Sequence, residues 1–525
     1  MGFGRDLKMN LKRNLRKQDD VRTSFAQQPT ASVDTLDVAR VKIEKPRYVP
    51  RVTVAMLPDV ALLEIFDFYT HSGGVWERSW YRLVHVCRKW RNIIFGSPAR
   101  LDLRLYCTAR TPVMKLLDVW PSLPIVIDMD KGPGSYDLTP DTAADDIIAA
   151  LKQNDRIYRL ELSLSELSFI SKEKIFATMQ QPFPTLRLLR LTHGDGIAPV
   201  GASSFLGGSA PPHLQSLTLF GIAIPGLPKL LLSATHLVLL ELSEIPHSGY
   251  FSPEAMVTCL SVLTRLETLK IRFKSPRSRP DRRHPPPRTR TILPVLTKLD
   301  FYGVSEYLED FVARVDAPLL ELLNIKFFHQ LLFDTPQLAL FIGRTPKFQT
   351  HDKLEARVYF PSSNVSFATL DGRLELTISC GKSDWQLSSL VQVCSSFLSQ
   401  PLISTVEHLY VQEYREGGMF FRFGNHNIDD VEGSQWLEFL RPFTAVKHLY
   451  ITPKSTPGIA TALQGVVAET VTEVLPALQT IFLETLPSKP IQEAMEKFAA
   501  ARQLFNHPIT VSRWDIKQKY KAPFS

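Results

Sequence analysis

Hydrophobic positions recur along most of the chain in the pattern L-x-x-L-x-L, with Ile, Val or Phe allowed at the leucine sites. Ten copies begin at Ile157, Leu186, Leu214, Leu237, Leu266, Leu296, Leu320, Val406, Val446 and Leu478. Their separations fall mostly at 23 to 33 residues, and the wider interval from 323 to 406 holds weaker strand-like runs near Val358 and Leu376. Alternation at period two predicts a strand at each copy, with its leucines on one side. Helix starts lie between the strands: Thr139-Pro140, Ser252-Pro253 and Thr335-Pro336 each set an N-cap hydroxyl before a proline at the first helical position. Pro184, Pro212, Pro294, Pro318 and Pro476 stand two residues before the first apolar site of a copy, where they end the preceding helix and spare the strand's ladder. A unit of this size cannot bury its apolar side alone, so neighbours must stack. The predicted class is α/β: one array over residues 106–515, a curved parallel sheet with helices on its convex side. A helix from about Pro490 to Leu504 and the strand PITVSRW close it.

Residues 51–105 carry a helical period instead. Pro58 and Asp59 suit a first turn, and Leu62, Ile65, Phe66 and Tyr69 follow at helical spacing as one apolar stripe. A second helix is predicted from about Trp80 to Phe95, with Leu83, Val86, Cys87, Trp90, Ile93 and Ile94 spread over more than one face; Gly96 and Pro98 end it. About fifty residues are marginal as an independent core, so part of this apolar surface is expected to be covered by a partner.

The run LPDVALLEIF followed by VCRKWRNIIF resembles the F-box, the helical motif that docks a receptor onto the Skp-type adaptor of SCF ubiquitin ligases, and the resemblance covers Val54 to about Leu105. It implies that Leu57, Pro58, Ile65, Val86, Cys87 and Trp90 pack against the adaptor's C-terminal helices through an apolar, non-catalytic contact. Val60 and Ala61 depart from the commonest pattern, and the connector THSGGVWERSW is longer than usual, as in F-box proteins abundant in fungi. The array in turn resembles the leucine-rich repeats of F-box proteins, without the Asn or Cys expected after each strand. Together the two resemblances imply a substrate receptor: the adaptor, and through it a cullin-RING ligase, on one side and a target protein on the other. The alternative is a leucine-rich-repeat interaction scaffold without a ligase role, whose first helices merely cap the array.

Composition narrows the choice. The chain has 525 residues, 44% of them hydrophobic and 22% charged, enough to bury a large core. Its net charge of +8 is concentrated in two segments. Residues 1–50 hold eleven bases and six acids, and 274–290 hold seven bases and one acid among five prolines, which leaves about −3 for the rest. Both segments are expected to be disordered, as is a short tail over 516–525, so the folded part does not present a basic nucleic-acid surface. No apolar run reaches membrane-spanning length, and the N-terminus lacks the apolar core of a secretory signal. Five cysteines without regular spacing suit reduced thiols in cytoplasm or nucleus.

Enzyme motifs are absent: no HExxH, GxSxG, P-loop, GxGxxG or metal-ligand run occurs, so no catalytic residue, metal or cofactor is assigned. His193-Gly-Asp195 and Asp128-Met-Asp130 read as polar turns, and Cys87 as a small buried thiol on a helix face. Interest therefore falls on the side of the sheet opposite the core leucines. Arg190, Lys270, Arg272, Lys298 and Lys326 are expected to line it and to bind an acidic or phosphorylated segment of the target. Tyr302, Tyr410 and Tyr450 would supply apolar anchors.

Overall fold

The computed structural model describes residues 54–71, 79–108, 117, 120, 122–128, 140–165, 167–194, 202–224, 226–277, 289–328, 335–349, 354–360, 364–369, 375–380, 387–396, 401–413, 433–466, 470–485 and 488–514. The expected basic tail 1–50, residues 278–288 of the Pro-rich loop, the tail 516–525 and Thr139 lie outside them. The chain divides into two units, Met1–Pro58 and Asp59–Ser525. Within the first, Val54–Met56 forms one 3-10 turn, closed by the Leu57 N–H donating to the Val54 carbonyl at 3.2 Å.

Among its described residues the second unit begins with three helices where the sequence predicts two: α1 (Asp59–His71), α2 (Ser79–Val84) and α3 (Arg88–Gly96). The expected Trp80–Phe95 helix breaks at Cys87, whose extended backbone lets its Sγ accept the Trp90 N–H at 3.5 Å as the N-cap of α3. Arg91 satisfies the end of α2 by donating to the Val84 carbonyl at 3.0 Å. Cys87 is accordingly exposed, not a buried thiol. The single stripe expected on α1 also divides. Leu62 and Phe66 are fully buried, Phe66 against Trp90 with ring centroids 4.7 Å apart, while Ile65 and Tyr69 turn outward. Trp80 anchors the helices to the start of the array: its ring packs on Trp120 at 5.3 Å and its Nε1 donates to the Arg104 carbonyl at 3.2 Å.

Among the described residues the strands that follow form one sixteen-stranded sheet and a two-stranded satellite. Its strands are β1 (Leu105–Cys107), β2 (Ile125–Asp128), β3 (Ile157–Ser163), β4 (Leu188–Thr192), β5 (Ser216–Phe220), β6 (Leu239–Ile245), β7 (Thr268–Phe273), β9 (Lys298–Gly303), β11 (Leu322–Phe327), β12 (Leu354–Phe360), β13 (Asn364–Thr369), β14 (Glu375–Cys380), β15 (Val406–Glu413), β16 (His448–Ile451), β17 (Thr480–Leu483) and β18 (Thr510–Arg513); β8 (Thr291–Ile292) and β10 (Val315–Asp316) pair apart. All ten sequence copies become strands. They lie side by side in chain order and parallel, except across the irregular interval between the copies at Leu320 and Val406. Sequential parallel strands joined by right-handed crossovers place every connecting helix on the same face. Among the described residues the other face carries no helix.

One row of side chains accounts for much of the core. Leu160, Leu189, Leu217, Leu240, Leu269, Leu299, Leu323 and Leu376 lie in register on consecutive strands, all buried. Burying each leucine is worth roughly 2 kcal/mol, so the row stabilises neighbours in pairs and not any strand alone. The interval after Leu323 departs from a purely parallel array: the sheet order there is β11-β14-β13-β12-β15, with β13 antiparallel to both neighbours. Three residues separate β12 from β13 and five separate β13 from β14, too few for a crossover, so the chain can only double back. The apolar row nevertheless continues, through Phe367, Ala356, Leu409, Leu449 and Ile481.

Two of the three predicted caps can be located, and they differ. The Ser252 hydroxyl accepts from the Ala255 N–H at 3.2 Å. Thr335 makes no cap bond; Glu309 from the preceding helix takes its place, accepting the N–H groups of Gln337 and Leu338 at 2.9 and 2.8 Å. The closing helix runs Lys489–Leu504 and is held by Arg502, which is fully buried and donates to the carbonyls of Val471, Val474, Leu475, Pro476 and His507.

Candidate interaction surfaces

Two surfaces combine exposure with chemistry. The first lies on α1 and the turn between α2 and α3. Val60 is 64% exposed, Ile65 49%, Phe68 75% and Val86 58%, and Tyr69 is also exposed, on a module whose opposite side is close-packed through Leu62, Phe66, Trp80 and Val84. Exposed apolar side chains gathered on one short module mark an interaction site. Of the residues assigned to an adaptor, Ile65, Val86 and Cys87 are exposed; Trp90 is half-buried beneath Phe66 and supports that surface from behind. Leu57 and Pro58 close the first unit, the proline exposed and the leucine half-buried.

The second surface is the helix-free face of the sheet. The bases expected there are present, and each is placed by the alternation of its strand, but the face is not basic. In register across the strands run Asp128, Glu161, Arg190, Thr218, Glu241, Lys270, Asp300 and Asn324. Opposite charges meet along this row. Arg190 lies 3.7 Å from Glu161, which also holds Arg159; Lys270 donates to Glu241 at 3.1 Å; Arg272 grips Asp300 through two bonds of 2.7 and 2.6 Å. The bidentate bond to Asp300 raises the Arg272 pKa against the opposing effect of burial. Asn324 adds a further donor to Asp300 at 3.1 Å. Only Lys298 and Lys326 of the five make no ion pair among the described residues, and Lys326 sits over the Tyr302 ring at 5.4 Å.

Three of the five bases expected to bind an acidic segment are thus already held by acids of the same face. Glu161, Glu241 and Asp300 each lie one strand away from the base they hold, and Arg159 alone pairs within its own strand. The signal was available: the fifth position of IYRLEL, LVLLEL and LTKLDF is acidic.

Beyond the antiparallel insert the same face becomes aromatic. Tyr410, Tyr450 and Phe482 occupy matching positions on β15, β16 and β17. Their rings stack almost parallel, with centroids 4.2 and 4.6 Å apart and interplanar angles of 9° and 7°. Arg357 lies over the first ring at 5.7 Å, and Trp514 meets Tyr410 and Tyr450 edge-on at 6.1 and 5.2 Å. His408 and His448 form a second row beside the stack, 4.9 Å apart. Burial, with the field of Glu355, raises the Tyr450 pKa. Tyr410 and Tyr450 were expected on this face. Phe482 and Trp514 were not, although Phe482 holds in LQTIFL the position that tyrosine holds in VEHLYV and VKHLYI.

No grouping of His, Cys, Asp and Glu among the described residues is arranged to hold a metal ion, and no described helix is long and apolar enough to cross a membrane. Asp128 ends β2 as a buried residue of the charged row, and His193 is buried at the end of β4; Asp130 and Asp195 lie outside the described residues. No protein-family model matches the chain, and no curated protein matches it. Among solved structures the chain is similar to the leucine-rich repeat-containing protein LegL7 from Legionella pneumophila, at 13% sequence identity over 76% of this chain and 97% of that one, with a TM-score of 0.25. The repeat architecture stands on the register and burial of the strands themselves.

Proposed function

We propose that the chain is a non-catalytic substrate receptor. Its helical module docks a Skp-type adaptor, and its repeat sheet holds a target protein for a cullin-RING ligase. The single observation that carries the reading is the apolar surface of α1 and the α2–α3 turn, where Val60, Ile65, Phe68 and Val86 stand exposed on a module whose other side is sealed. Such a receptor works by proximity: it raises the local concentration of target lysines beside a charged ubiquitin carrier and needs no catalytic residue of its own.

A pull-down with the adaptor tests it, comparing the parent chain with Ile65→Asp and Val86→Asp. A buried apolar anchor at an interface is typically worth about 2 kcal/mol or more, so each variant should lose roughly thirty-fold in affinity while keeping the parent's circular dichroism. Equal recovery by parent and variants, or none by either, would remove the ligase reading.

A second reading, a repeat scaffold without ligase function, is favoured by the close packing of Trp80, Tyr81 and Phe95 on Trp120, which suits a cap sealing the start of the sheet. It predicts that the two aspartate variants change nothing but solubility.

A further inference from the structure

Among the described residues the last strand, β18, lies at the edge of the sheet. Among the described residues it pairs only with β17, and the bonds from the Thr510 and Trp514 N–H groups to the carbonyls of Gln479 and Leu483 turn the even-numbered residues inward. The N–H and C=O groups of Val511 and Arg513 therefore point away from the sheet, toward any further strand.

Each face beside this edge lacks one side chain. On the helix-free face the stack Tyr410–Tyr450–Phe482 stops abruptly, because the residue in register with Phe482 is Ser512. Phe482 has a ring neighbour on its Tyr450 side and against His448, and none on its outward side among the described residues. Rings stack 4.2 and 4.6 Å apart here, close to the spacing of strands, so the space above Ser512 matches one further planar group. On the opposite face a cavity of about 260 Å³ opens between helix Lys489–Leu504 and the end of the sheet, lined by Leu483, Met495 and Val511 and also by the polar Gln492, Glu496 and Arg513. It exceeds the roughly 150 Å³ that holds a benzene. Val511 is 42% exposed at its mouth.

We propose that an extended peptide of the target adds to β18 as a further strand. Successive side chains of a strand point to opposite faces, so the peptide carries an aromatic residue next to an aliphatic one: the aromatic leans over Ser512 onto Phe482, and the aliphatic enters the cavity. A second copy of this chain fits the edge poorly. Its own β18 would offer Thr510 and Ser512 to the helix-free face, neither of them planar, and Trp514, the next residue on that face, is already packed against Tyr410 and Tyr450. The proposal rests on the target-binding half of the receptor reading and is independent of adaptor docking, so either can fail without the other.

The test is fluorescence anisotropy of the full chain with a labelled peptide, Gly-Thr-Thr-Phe-Leu-Thr-Thr-Gly, against a control in which Phe and Leu are both Ser. The expected result is binding of the first at least about tenfold tighter than the control. Three variants locate it. Phe482→Ala removes the stacking face, Ser512→Trp fills the slot from within, and Val511→Pro deletes an outward donor that an edge strand spares. Each should weaken binding about tenfold or more, while Lys229→Glu, exposed on the helix Leu227–Leu231 between β5 and β6, leaves it within about twofold. Equal affinity for peptide and control, or variants that keep both their fold and the parent's affinity, would overturn the proposal. So would light scattering that finds the chain dimeric through this edge and unable to take the peptide.

Discussion

At the scale of single residues, backbone geometry and burial decide most outcomes. Gly221 has φ +67°, and a Cβ there would stand 1.8 Å from the His193 carbonyl oxygen, which belongs to the neighbouring strand's end. Neither the conformation nor the space admits a side chain. Gly221→Ala should cost about 3 kcal/mol or more, read as a fall in the denaturation midpoint at unchanged slope. The thiols sort by the same logic. Burial alone pushes Cys259 up to about 11 and Cys394 up to about 12, while Cys87 stands exposed at a helix start. Thiolate is the reactive form, so iodoacetamide on the native protein should label Cys87 within minutes and spare Cys107, Cys259 and Cys394 until denaturant is added. Mass spectrometry of the digested protein reads this directly, and prompt labelling of Cys394 would contradict its burial.

Elements are where the sequence was most and least legible. Strand positions could be read because a strand needs only local alternation, and each of the ten copies carries its own leucines inward. The helix-side core was therefore foreseeable residue by residue. Features that depend on a residue one repeat away were not. The cap of helix Pro336–Arg344 illustrates this: Thr335-Pro336 has every local mark of a self-capped start, yet Glu309, from the preceding helix, supplies both acceptors. Glu309→Gln keeps one acceptor and should cost about 1 kcal/mol, and Thr335→Val should be close to neutral because its hydroxyl is buried without a partner among the described residues. The reverse ranking, measured by urea denaturation, would restore the local reading. The charge ladder escaped for the same reason. Arg272 looked like an anion site until Asp300, on the next strand, took both of its forks. Half-buried cross-strand pairs of this kind stabilise modestly, about 0.2–1 kcal/mol each, and they offset the positive field of the bases.

For the whole second unit, stability is a chain of neighbour contacts, and a chain is as cooperative as its weakest join. Along the parallel stretches each strand has a connecting helix or loop stacked on the next, and the leucine row passes load from one repeat to its neighbour. The antiparallel insert interrupts that arrangement. β13 enters by a three-residue connection and leaves by one of five, and the two halves of the sheet meet through Leu376, Phe367 and Ala356, all fully buried. Phe367 is the largest side chain in this join, and truncating it to alanine should cost roughly 3–5 kcal/mol. In an array stabilised by nearest-neighbour interfaces, weakening one central interface selectively lets the flanking segments unfold separately. Phe367→Ala is thus expected to split one thermal transition into two. The signals of Trp80 and Trp90 in the helical module should follow one transition, and Trp436 and Trp514 beyond the insert the other. An alanine of equal cost at Leu217, well inside the parallel stretch, should lower the first transition without creating a second. If Phe367→Ala melts in one step at every tryptophan, the insert couples the two halves as firmly as the parallel repeats do, and the leucine row alone does not set cooperativity.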